Sequence, residues 1–382
     1  MRLIQQRNTP VLLPRLSTLC LRMYGPGVLS VLSPALRSVV VHQPRLSKAN
    51  IPTICALMDV LGDAVAFPRL ETFYLDVRNI PLPSLQAPPR MTSLRRLSIL
   101  GGKLTHLGLL ADLSTLPYLE TLEVQFSPSA AFVVPPKFPS TPFVALKSLG
   151  IEAPALCLYA ILEVLPVGGL QSLAITPLNE PFELEGRCHA LLARYFQIMS
   201  SRFSASMTTL VMEYGFIHER SSSVNAFGVS VFEPLIEMRK LQEVDLSQMH
   251  WAMKTFGDNE LAKFASAWPA IQELKFPTSL RMKATIRTLQ SFATGCPHLR
   301  HLEIPFDGQV VEESTLPMTS CPLEMLRIGD TPIPEDKLDL ARNLAMLFPS
   351  LQAVYDTPEG GCVTIKSLVQ EFQAVRAEKR TP

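Results

Sequence analysis

One short apolar pattern recurs thirteen times along the chain, and this recurrence most constrains the fold. Each segment begins with an apolar residue, two variable residues and a second apolar residue, and in all but the last segment the sixth residue is also apolar. A single match carries little weight in a chain with 47% apolar residues, because three apolar positions coincide by chance in about a tenth of windows. The segments begin at Leu16, Leu36, Leu70, Leu94, Leu119, Leu146, Leu170, Met207, Leu241, Ile271, Leu299, Leu323 and Leu351.

Two further details separate this pattern from chance. Eleven of the thirteen first residues are leucine. Seven of the thirteen have a proline two positions earlier. With 33 prolines in 382 residues, composition alone predicts about one such proline. We therefore interpret the segments as a repeat array, which grows by adding units and needs no second core. The prolines are Pro14, Pro34, Pro68, Pro117, Pro269, Pro297 and Pro349.

Composition excludes several classes of function. The net charge is +1 and charged residues make up 18% of the chain, so no nucleic-acid partner is expected. The seven cysteines show no Cys-x-x-Cys spacing, which predicts buried free thiols in a reducing compartment, cytoplasmic or nuclear, and no zinc site. No apolar run reaches the length of about 18 residues that a membrane span needs, and no signal-peptide core is found.

The N-terminal stretch is basic. No acidic residue precedes Asp59, whereas seven lysines and arginines do. A mitochondrial leader or a phosphate-binding surface is one explanation of this asymmetry. We favour a solvated or partner-covered edge, because the repeats already begin at Leu16.

The segment at Leu299 shows how one repeat is built. The alternation at Leu302, Glu303 and Ile304 has the period of a strand, with the two apolar side chains pointing inward. Pro297, just ahead, cannot donate to a strand ladder, so it marks the point where a helix ends and a strand begins. Between strands, the spacing predicts helices. Asp258 is predicted to cap one that carries an apolar stripe over Leu261, Phe264, Ala265 and Trp268.

Five other segments have the same helical spacing. A strand and a helix in every 20 to 37 residues predict parallel strands side by side with helices on the outside. The helical stripes are Ile54, Leu57, Met58 and Leu61; Leu158, Ile161, Leu162 and Leu165; Leu191, Leu192, Tyr195 and Met199; Ile286, Leu289, Phe292 and Ala293; and Leu338, Ala341, Leu344, Ala345 and Phe348.

The repeated segments resemble leucine-rich repeats of the irregular, ribonuclease-inhibitor-like kind. The resemblance implies an α/β solenoid, a curved horseshoe of about 13 irregular strand-helix units with a parallel concave sheet. We expect a single domain over 1–382, with repeats over about 14–356 and a C-terminal capping helix over about 363–379, whose stripe is Ile365, Leu368, Val369, Phe372 and Val375. The ninth position departs from the family, because the usual asparagine is replaced, for example by Tyr24, Arg78 and Ser127.

Segments such as Phe67-Pro68-Arg69-Leu70-Glu71-Thr72-Phe73 and Cys296-Pro297-His298-Leu299-Arg300-His301-Leu302 resemble the repeat region of fungal F-box proteins. In that family the F-box binds the adaptor of a cullin-RING ubiquitin ligase and the repeats bind the substrate. No F-box is found in this sequence, since 1–14 is too short for one. The resemblance therefore implies a cullin-RING adaptor as partner only if an F-box lies upstream.

The outward strand positions, the third and fifth of each segment, are expected to line the concave face. From Leu241 onward these positions form a charged stripe, with neighbouring strands about 4.8 Å apart, which suits a basic or mixed-charge partner. The alternative is that solvent-facing strand positions are simply polar. The candidate partner-binding residues are Glu243, Asp245, Glu273, Lys275, His301, Glu303, Arg327 and Tyr355.

Catalytic and metal-binding patterns are not found in the sequence. His298 and His301 lie at the start of a strand without a third ligand. The carboxylates lie along an open face, whereas glycoside hydrolysis needs them across a cleft. Gly101-Gly102 and Gly360-Gly361 lack the spacing of phosphate-binding loops. We expect no enzyme activity and no cofactor.

Our leading hypothesis is a monomeric, non-enzymatic recognition protein that binds a protein partner on its concave face. With an upstream F-box it would be the substrate receptor of a ubiquitin ligase. The competing hypothesis is a regulatory or scaffold repeat protein without a ligase, like the ribonuclease-inhibitor-like regulators of small GTPases. The polar loop around Ser221–Ser223 is the alternative binding surface, although loops also tolerate insertions at little cost.

Overall fold

The computed structural model describes most of the chain, and every structural statement below refers to the described residues. They are 13–22, 32–43, 51–82, 90–104, 108–126, 138–178, 185–213, 229–249, 256–277, 284–307, 317–329, 337–355 and 363–378. The loop at Ser221–Ser223 and the Gly360-Gly361 pair lie outside them.

Thirteen strands form one sheet in which the spatial order follows the sequence order. Every strand begins two residues after a predicted first residue, so the sequence pattern located all thirteen. The strands are β1 Thr18–Leu21, β2 Ser38–Gln43, β3 Thr72–Leu82, β4 Arg96–Leu104, β5 Thr121–Phe126, β6 Ser148–Pro154, β7 Ser172–Leu178, β8 Thr209–Met212, β9 Glu243–Asp245, β10 Glu273–Lys275, β11 His301–Glu303, β12 Met325–Arg327 and β13 Ala353–Tyr355.

Eight α-helices lie among the described residues, seven of them between strands and the last after β13. They are α1 Ile51–Leu61, α2 Gly108–Leu113, α3 Ala155–Val164, α4 Glu185–Phe203, α5 Asp258–Ala267, α6 Ile286–Gly295, α7 Lys337–Leu347 and α8 Val363–Glu378. A parallel sheet whose strands follow one another in sequence, with helices in the connections, is the arrangement of an α/β leucine-rich-repeat solenoid. The predicted fold class is confirmed. No described helix has the length and apolar character that crossing a membrane requires.

The chain divides into two compact bodies. The N-terminal body comprises 1–170 and 175–180, and the C-terminal body comprises 171–174 and 181–382. Strands β1 to β6 pair in parallel within the first body, and β8 to β13 pair in parallel within the second. The single domain over 1–382 stays a prediction.

The first residues of the repeats form the spine of the core. All of them are buried except Leu16, which is partly exposed. Full burial of a leucine side chain is worth about 1.5–3 kcal/mol, so the repeated leucines supply much of the driving force for folding. The residues of β1 are only half-buried or exposed, whereas Val39 and Val41 of β2 are fully buried.

The repeated prolines lie in β-turns and not at the first residue of a strand. In most repeats the N–H of the first residue donates to the carbonyl three residues back, as from Leu299 to Cys296 (3.2 Å) and from Leu70 to Phe67 (3.3 Å). Pro297 and Pro68 are then the second residue of a four-residue turn, a position that favours proline because its φ is already fixed near −65°. The strand itself begins four residues after the proline.

A backbone ladder joins successive repeats at their second position. The carbonyl of Gln272 accepts from the N–H groups of Arg300 (2.8 Å) and His301 (3.0 Å), and the carbonyl of Arg300 accepts from Glu324 and Met325 in the same way. Equivalent pairs occur in both bodies, for example from Glu71 and Thr72 to Arg37. This ladder sets the register of each strand without needing particular side chains.

The core of the C-terminal body is rich in aromatic side chains. Phe232 packs on Phe196 and Phe256 with ring centres 5.1 and 5.4 Å apart, and Phe264 stacks on Trp268 at 4.9 Å. All five rings are fully buried. The indole N–H of Trp268 donates to the carbonyl of Leu235 (3.0 Å), which satisfies the one polar group that burial of this ring would otherwise leave unpaired.

Helix α8 covers the last repeat. Ile365 and Val369 are fully buried, and the Gln373 side-chain amide donates to the carbonyls of Phe348 (3.1 Å) and Leu351 (3.2 Å). These carbonyls lie in the segment between α7 and β13, so Gln373 ties α8 to that segment. The predicted apolar stripes are wrong at one residue each in α7 and α8, because Leu338 and Val375 are exposed.

The predicted cap of α5 is also corrected. Gly257 is the N-cap residue, and its N–H donates to the Glu260 carboxylate (3.0 Å). Asp258 is the first helical residue. Its carboxylate accepts from the backbone N–H of Thr285 (2.8 Å) and from the hydroxyl groups of Thr285 (2.7 Å) and Thr288 (2.5 Å). Asp258 therefore ties α5 to the start of α6 in the next repeat.

Candidate functional site

The sheet of the C-terminal body has one side that carries the third and fifth positions of each repeat, opposite the apolar core. We call this side the C-terminal open face. Register places Glu243, Glu273 and His301 side by side in one row on β9, β10 and β11, and Asp245, Lys275 and Glu303 in a second row on the same strands. Met325 and Ala353 continue the first row on β12 and β13, and Arg327 and Tyr355 continue the second.

A chain of polar contacts crosses β9, β10 and β11. The Lys275 ammonium lies 3.4 Å from Asp245 Oδ2 and 2.5 Å from Glu273 Oε1, and Glu273 Oε2 lies 3.5 Å from His301 Nδ1. The other oxygen of Asp245 accepts from the backbone N–H (3.0 Å) and hydroxyl (2.6 Å) of Ser247. Both oxygens of Asp245 and of Glu273 thus have partners within the face.

The pKa values of the central pair follow from these contacts. The hydrogen bond from Lys275 lowers the pKa of the Glu273 carboxyl, and this effect outweighs the opposing effect of burial. Burial lowers the pKa of Lys275, but the hydrogen bond with Glu273 and the charge of Asp245 outweigh it, so the net shift is upward. Each group therefore stabilises the charged form of the other.

A second group of contacts joins β11, β12 and β13. Arg327 Nη1 lies 3.2 Å from Glu303 Oε2, and the guanidinium carbon lies 6.0 Å from the centre of the Tyr355 ring. The Glu303 side chain is only 13% exposed. Burial raises the pKa of this carboxyl more than the nearby charge of Arg327 lowers it, and the charge of Asp245 adds to the increase.

The carboxylates of this face are therefore not all open to solvent or to a partner. Asp245, Glu273 and Glu303 are engaged by Lys275, His301 and Arg327. Glu243 is exposed, and within the described part of the chain the contact found for its carboxylate is a long one from the Thr209 hydroxyl (3.4 Å). His301 and Arg327 are 42% and 41% exposed. Among its described side chains, the C-terminal open face thus presents an exposed carboxylate at β9 and, toward β13, the guanidinium of Arg327, the ring of Tyr355 and the side chain of Met325.

The structure also shows polar groups that the sequence reading missed. In the N-terminal body, residues at the second position form an ion-paired row, in which Glu120 lies 2.8 Å from Arg95 and 3.4 Å from Lys147. The hydrogen bond with Lys147 lowers the pKa of the Glu120 carboxyl. At the seventh position, beyond the six-residue pattern, His42 Nδ1 lies 2.8 Å from Asp76 Oδ2. Aligning these two further positions across the repeats would have revealed both rows.

Five of the seven cysteines lie among the described side chains, and all five are free thiols. Cys157, Cys296 and Cys321 are buried, as the sequence reading expected, but Cys20 is exposed and Cys55 is half-buried. Across the described part of the chain, no three histidine, cysteine, aspartate or glutamate side chains are grouped closely enough to hold a metal ion.

Comparison with known proteins adds little beyond this geometry. No family model matches the chain, and no curated protein matches it. Among solved structures, an internalin from Listeria monocytogenes is similar at 10% identity over 90% of this chain and 81% of its own, with a TM-score of 0.46. TLR13, in a complex with ssRNA13, is similar at 16% identity over 89% of this chain, with a TM-score of 0.43, and the chain spans about half (47%) of its length.

Proposed function

We propose that the chain is a non-catalytic recognition module that binds a protein partner on the C-terminal open face. The observation that carries this proposal is the set of contacts holding charged side chains in place before any partner arrives. Side chains that are already ordered lose less conformational entropy on binding. Buried carboxylates that already have partners add no unpaired charge to an interface.

The contact residues divide into two groups under this proposal. Glu243, His301, Met325, Arg327 and Tyr355 meet the partner, because their side chains are exposed or half-exposed. Asp245, Glu273, Lys275 and Glu303 hold His301 and Arg327 in position through the polar contacts described above. Tyrosine and arginine are the residue types that most often dominate binding energy at protein interfaces.

This division determines which substitutions are informative. Reversing Asp245, Glu273 and Glu303 together would place new cations beside Lys275 and Arg327, so a loss of binding would also reflect local damage to the sheet. Glu243→Lys and Tyr355→Ala change exposed groups and leave the ion pairs intact. We expect each of these two substitutions to weaken partner binding by about tenfold, the loss of more than about 1 kcal/mol that marks an important interface residue.

Site-specific photo-cross-linking tests the location of the face. A benzophenone side chain is introduced at Met325 or Tyr355 on the open face, and at Ser266 or Thr294 on the exposed surfaces of α5 and α6 as matched controls. We expect the two face positions to capture the same partner and the helix positions not to capture it. Capture from the helix positions alone would refute the proposal.

We further propose that the module is the substrate receptor of an F-box type ubiquitin ligase. This finer proposal is supported by the proline-turn-leucine segments, such as 67–73 and 296–302, that resemble the repeats of fungal F-box proteins. Its setting would be intracellular, as a monomeric receptor. A regulatory or scaffold repeat protein without a ligase remains the alternative function.

Affinity purification of the full-length protein from its own cells distinguishes these two functions. A receptor brings down a cullin and its adaptor together with the partner. A scaffold protein brings down the partner alone, and that result would refute the ligase role while leaving recognition by the open face intact.

A further inference from the structure

The N-terminal body has an open face of its own, on the side of β2 to β6 that carries the third, fifth and seventh positions. Its strands are longer than those of the C-terminal body, since β3 has 11 residues and β10 has three. The added length brings a third row of outward residues into the sheet. His42, Asp76 and Leu100 are in register in that row on β2, β3 and β4. Gln125 and Glu152, at the seventh position of the next two repeats, are in register with each other on β5 and β6, although the β4–β5 register shifts after Ile99 and Val124.

An aromatic ring and two carboxylates surround one point of this face. Tyr74 on β3 is in register with Ser98 on β4, and Ser98 with Glu123 on β5. Asp76 lies two residues beyond Tyr74 on the same strand, and therefore on the same side of the sheet. Strand rise and strand spacing then place Tyr74 about 7 Å from Asp76 and about 10 Å from Glu123, and Asp76 about 12 Å from Glu123, measured between Cα atoms around Ser98.

Contacts within the sheet hold both carboxylates in position. His42 Nδ1 contacts one oxygen of Asp76 at 2.8 Å, and the Ser98 hydroxyl donates to Oε2 of Glu123 at 2.7 Å. Glycine at 150 leaves room for the Glu123 side chain, because a Cβ there would lie 3.1 Å from Glu123 Cγ. Within the described part of the chain, the contacts found for these two carboxylates use one oxygen of each. The second oxygen is left to accept from a ligand.

The charges of the face favour a cationic ligand. Among the described side chains at the third, fifth and seventh positions of β2 to β6, three are carboxylates, Asp76, Glu123 and Glu152, against the guanidinium of Arg96 and the imidazole of His42, which contacts Asp76. Burial raises the pKa of the Tyr74 phenol, and the charges of Asp76 and Glu123 raise it further, so the field of both carboxylates reaches the ring. A cation over a tyrosine ring is attracted by the ring and here also by the two carboxylates.

We propose that the N-terminal open face binds an extended basic segment of a protein partner, with a lysine or arginine side chain over Tyr74 between Asp76 and Glu123. An extended segment presents every second side chain on one face, about 6.7 Å apart, which matches the spacing of Tyr74 and Asp76. Acidic or phosphorylated segments are disfavoured, because the carboxylates would repel them. This surface is separate from the C-terminal open face and does not depend on it.

Fluorescence anisotropy with two designed peptides tests the proposal on the full chain. One labelled nonapeptide alternates lysine and serine, and its control carries glutamine in place of lysine. We expect the lysine peptide to bind and the glutamine peptide to bind at least about tenfold more weakly, with affinity for the lysine peptide falling as salt is added. Equal affinity for the two peptides would overturn the proposal.

Substitutions then locate the binding. We expect the double variant Asp76→Asn/Glu123→Gln to bind the lysine peptide about five- to tenfold more weakly, since each exposed ion pair contributes up to about 1 kcal/mol. Glu120→Gln, which removes an exposed carboxylate at the second position, and Glu243→Gln, on the other open face, should both bind as the unaltered chain does. A loss with Glu120→Gln as large as that of the double variant would overturn the proposal.

Zero-length carbodiimide coupling gives a readout that needs no substitution. It joins the lysine amine of the bound peptide to any carboxylate in contact, and mass spectrometry identifies the residue. We expect coupling at Asp76 or Glu123 in preference to Glu120. Coupling spread evenly over exposed carboxylates would refute this site even if the double variant had failed to fold.

Discussion

Gly295 lies where the backbones of α5 and α6 approach most closely. An added Cβ would lie 2.6 Å from the carbonyl oxygen of Ala265, a contact that real Cβ atoms essentially never make. The Cys296 thiol, one residue on, also contacts that oxygen at 3.4 Å. Only glycine allows this spacing without a shift of one helix.

We therefore predict that Gly295→Ala destabilises the protein by about 1–3 kcal/mol, the usual cost of overpacking a core. Gly108→Ala is the matched control, because Gly108 also lies in a helix but has nothing within 4 Å of its added Cβ. Thermal unfolding of the two variants measures the difference. Equal melting temperatures for both variants would show that α5 and α6 are less closely packed.

The buried thiols are predicted to be unreactive in the folded protein. Burial raises the pKa of Cys296 to about 12 and that of Cys321 to about 11, so at pH 8 at most about one Cys321 thiol in a thousand is the reactive thiolate. Iodoacetamide at pH 8 should label the exposed Cys20 first, and Cys296 and Cys321 only after unfolding. Mass spectrometry of timed samples measures this order, and labelling of Cys296 as fast as Cys20 would contradict the buried placement.

At the scale of elements, Asp258 holds two helices of neighbouring repeats together. Asp258→Ala would remove the acceptor of the Thr288 hydroxyl, whose side chain is fully buried. An unsatisfied buried polar group costs about 1–3 kcal/mol, and we predict a loss of stability of this size. Asp258→Asn keeps one carbonyl oxygen and should lose less. Chemical denaturation that ranks the two variants equally would show that these hydrogen bonds do not couple the helices.

The ion pair of Glu273 and Lys275 on β10 predicts a pH dependence with a defined sign. The lowered pKa of Glu273 adds stability that is present above its unfolded value of about 4.3 and lost as the pH falls through the folded value. The raised pKa of Lys275 adds stability that is present below about 10.4 and lost as the pH rises through the folded value. The pair therefore stabilises the fold most between these limits.

We predict that Lys275→Met lowers stability near neutral pH by at most about 1 kcal/mol, because both side chains are about a third exposed and solvent screens them. The difference from the unaltered chain should shrink as the pH is lowered below about 4. Melting temperatures measured across this range test the prediction. A difference that stays constant with pH would mean that lost packing, not charge, causes the effect.

Sequence alone located the elements well and their side-chain contacts poorly, for a physical reason. Leu299 and the equivalent residues indicate where strands begin, because an apolar side chain is buried at the same spacing in every repeat. The pairing of Arg327 with Glu303 depends on rotamers across two strands, and no local pattern encodes it. Leu338 lies on the predicted stripe of α7 but in its first turn, where Lys337, Leu338 and Asp339 are all exposed.

At the scale of the whole molecule, the sequence pattern does not extend to every contact on the open faces. The six-residue pattern extends only to the end of a short strand, so it missed Asp76 and Gln125, which follow in the longer strands of the N-terminal body. It also does not show that Asp245, Glu273 and Glu303 pair with Lys275, His301 and Arg327, because these contacts depend on strand register and side-chain conformation. The side-chain contacts of each open face can be identified only when the repeats are aligned by strand register.

Hydroxyl-radical footprinting of the chain alone and with its captured protein partner tests the central claim most directly. Met325, on the C-terminal open face, and Met318, which is 59% exposed outside the strand, have the same intrinsic reactivity and lie seven residues apart. If the open face is the binding surface, the partner protects Met325 and Tyr355 from oxidation and leaves Met318 reactive. Protection of Met318 with unchanged oxidation of Met325 and Tyr355 would contradict the account.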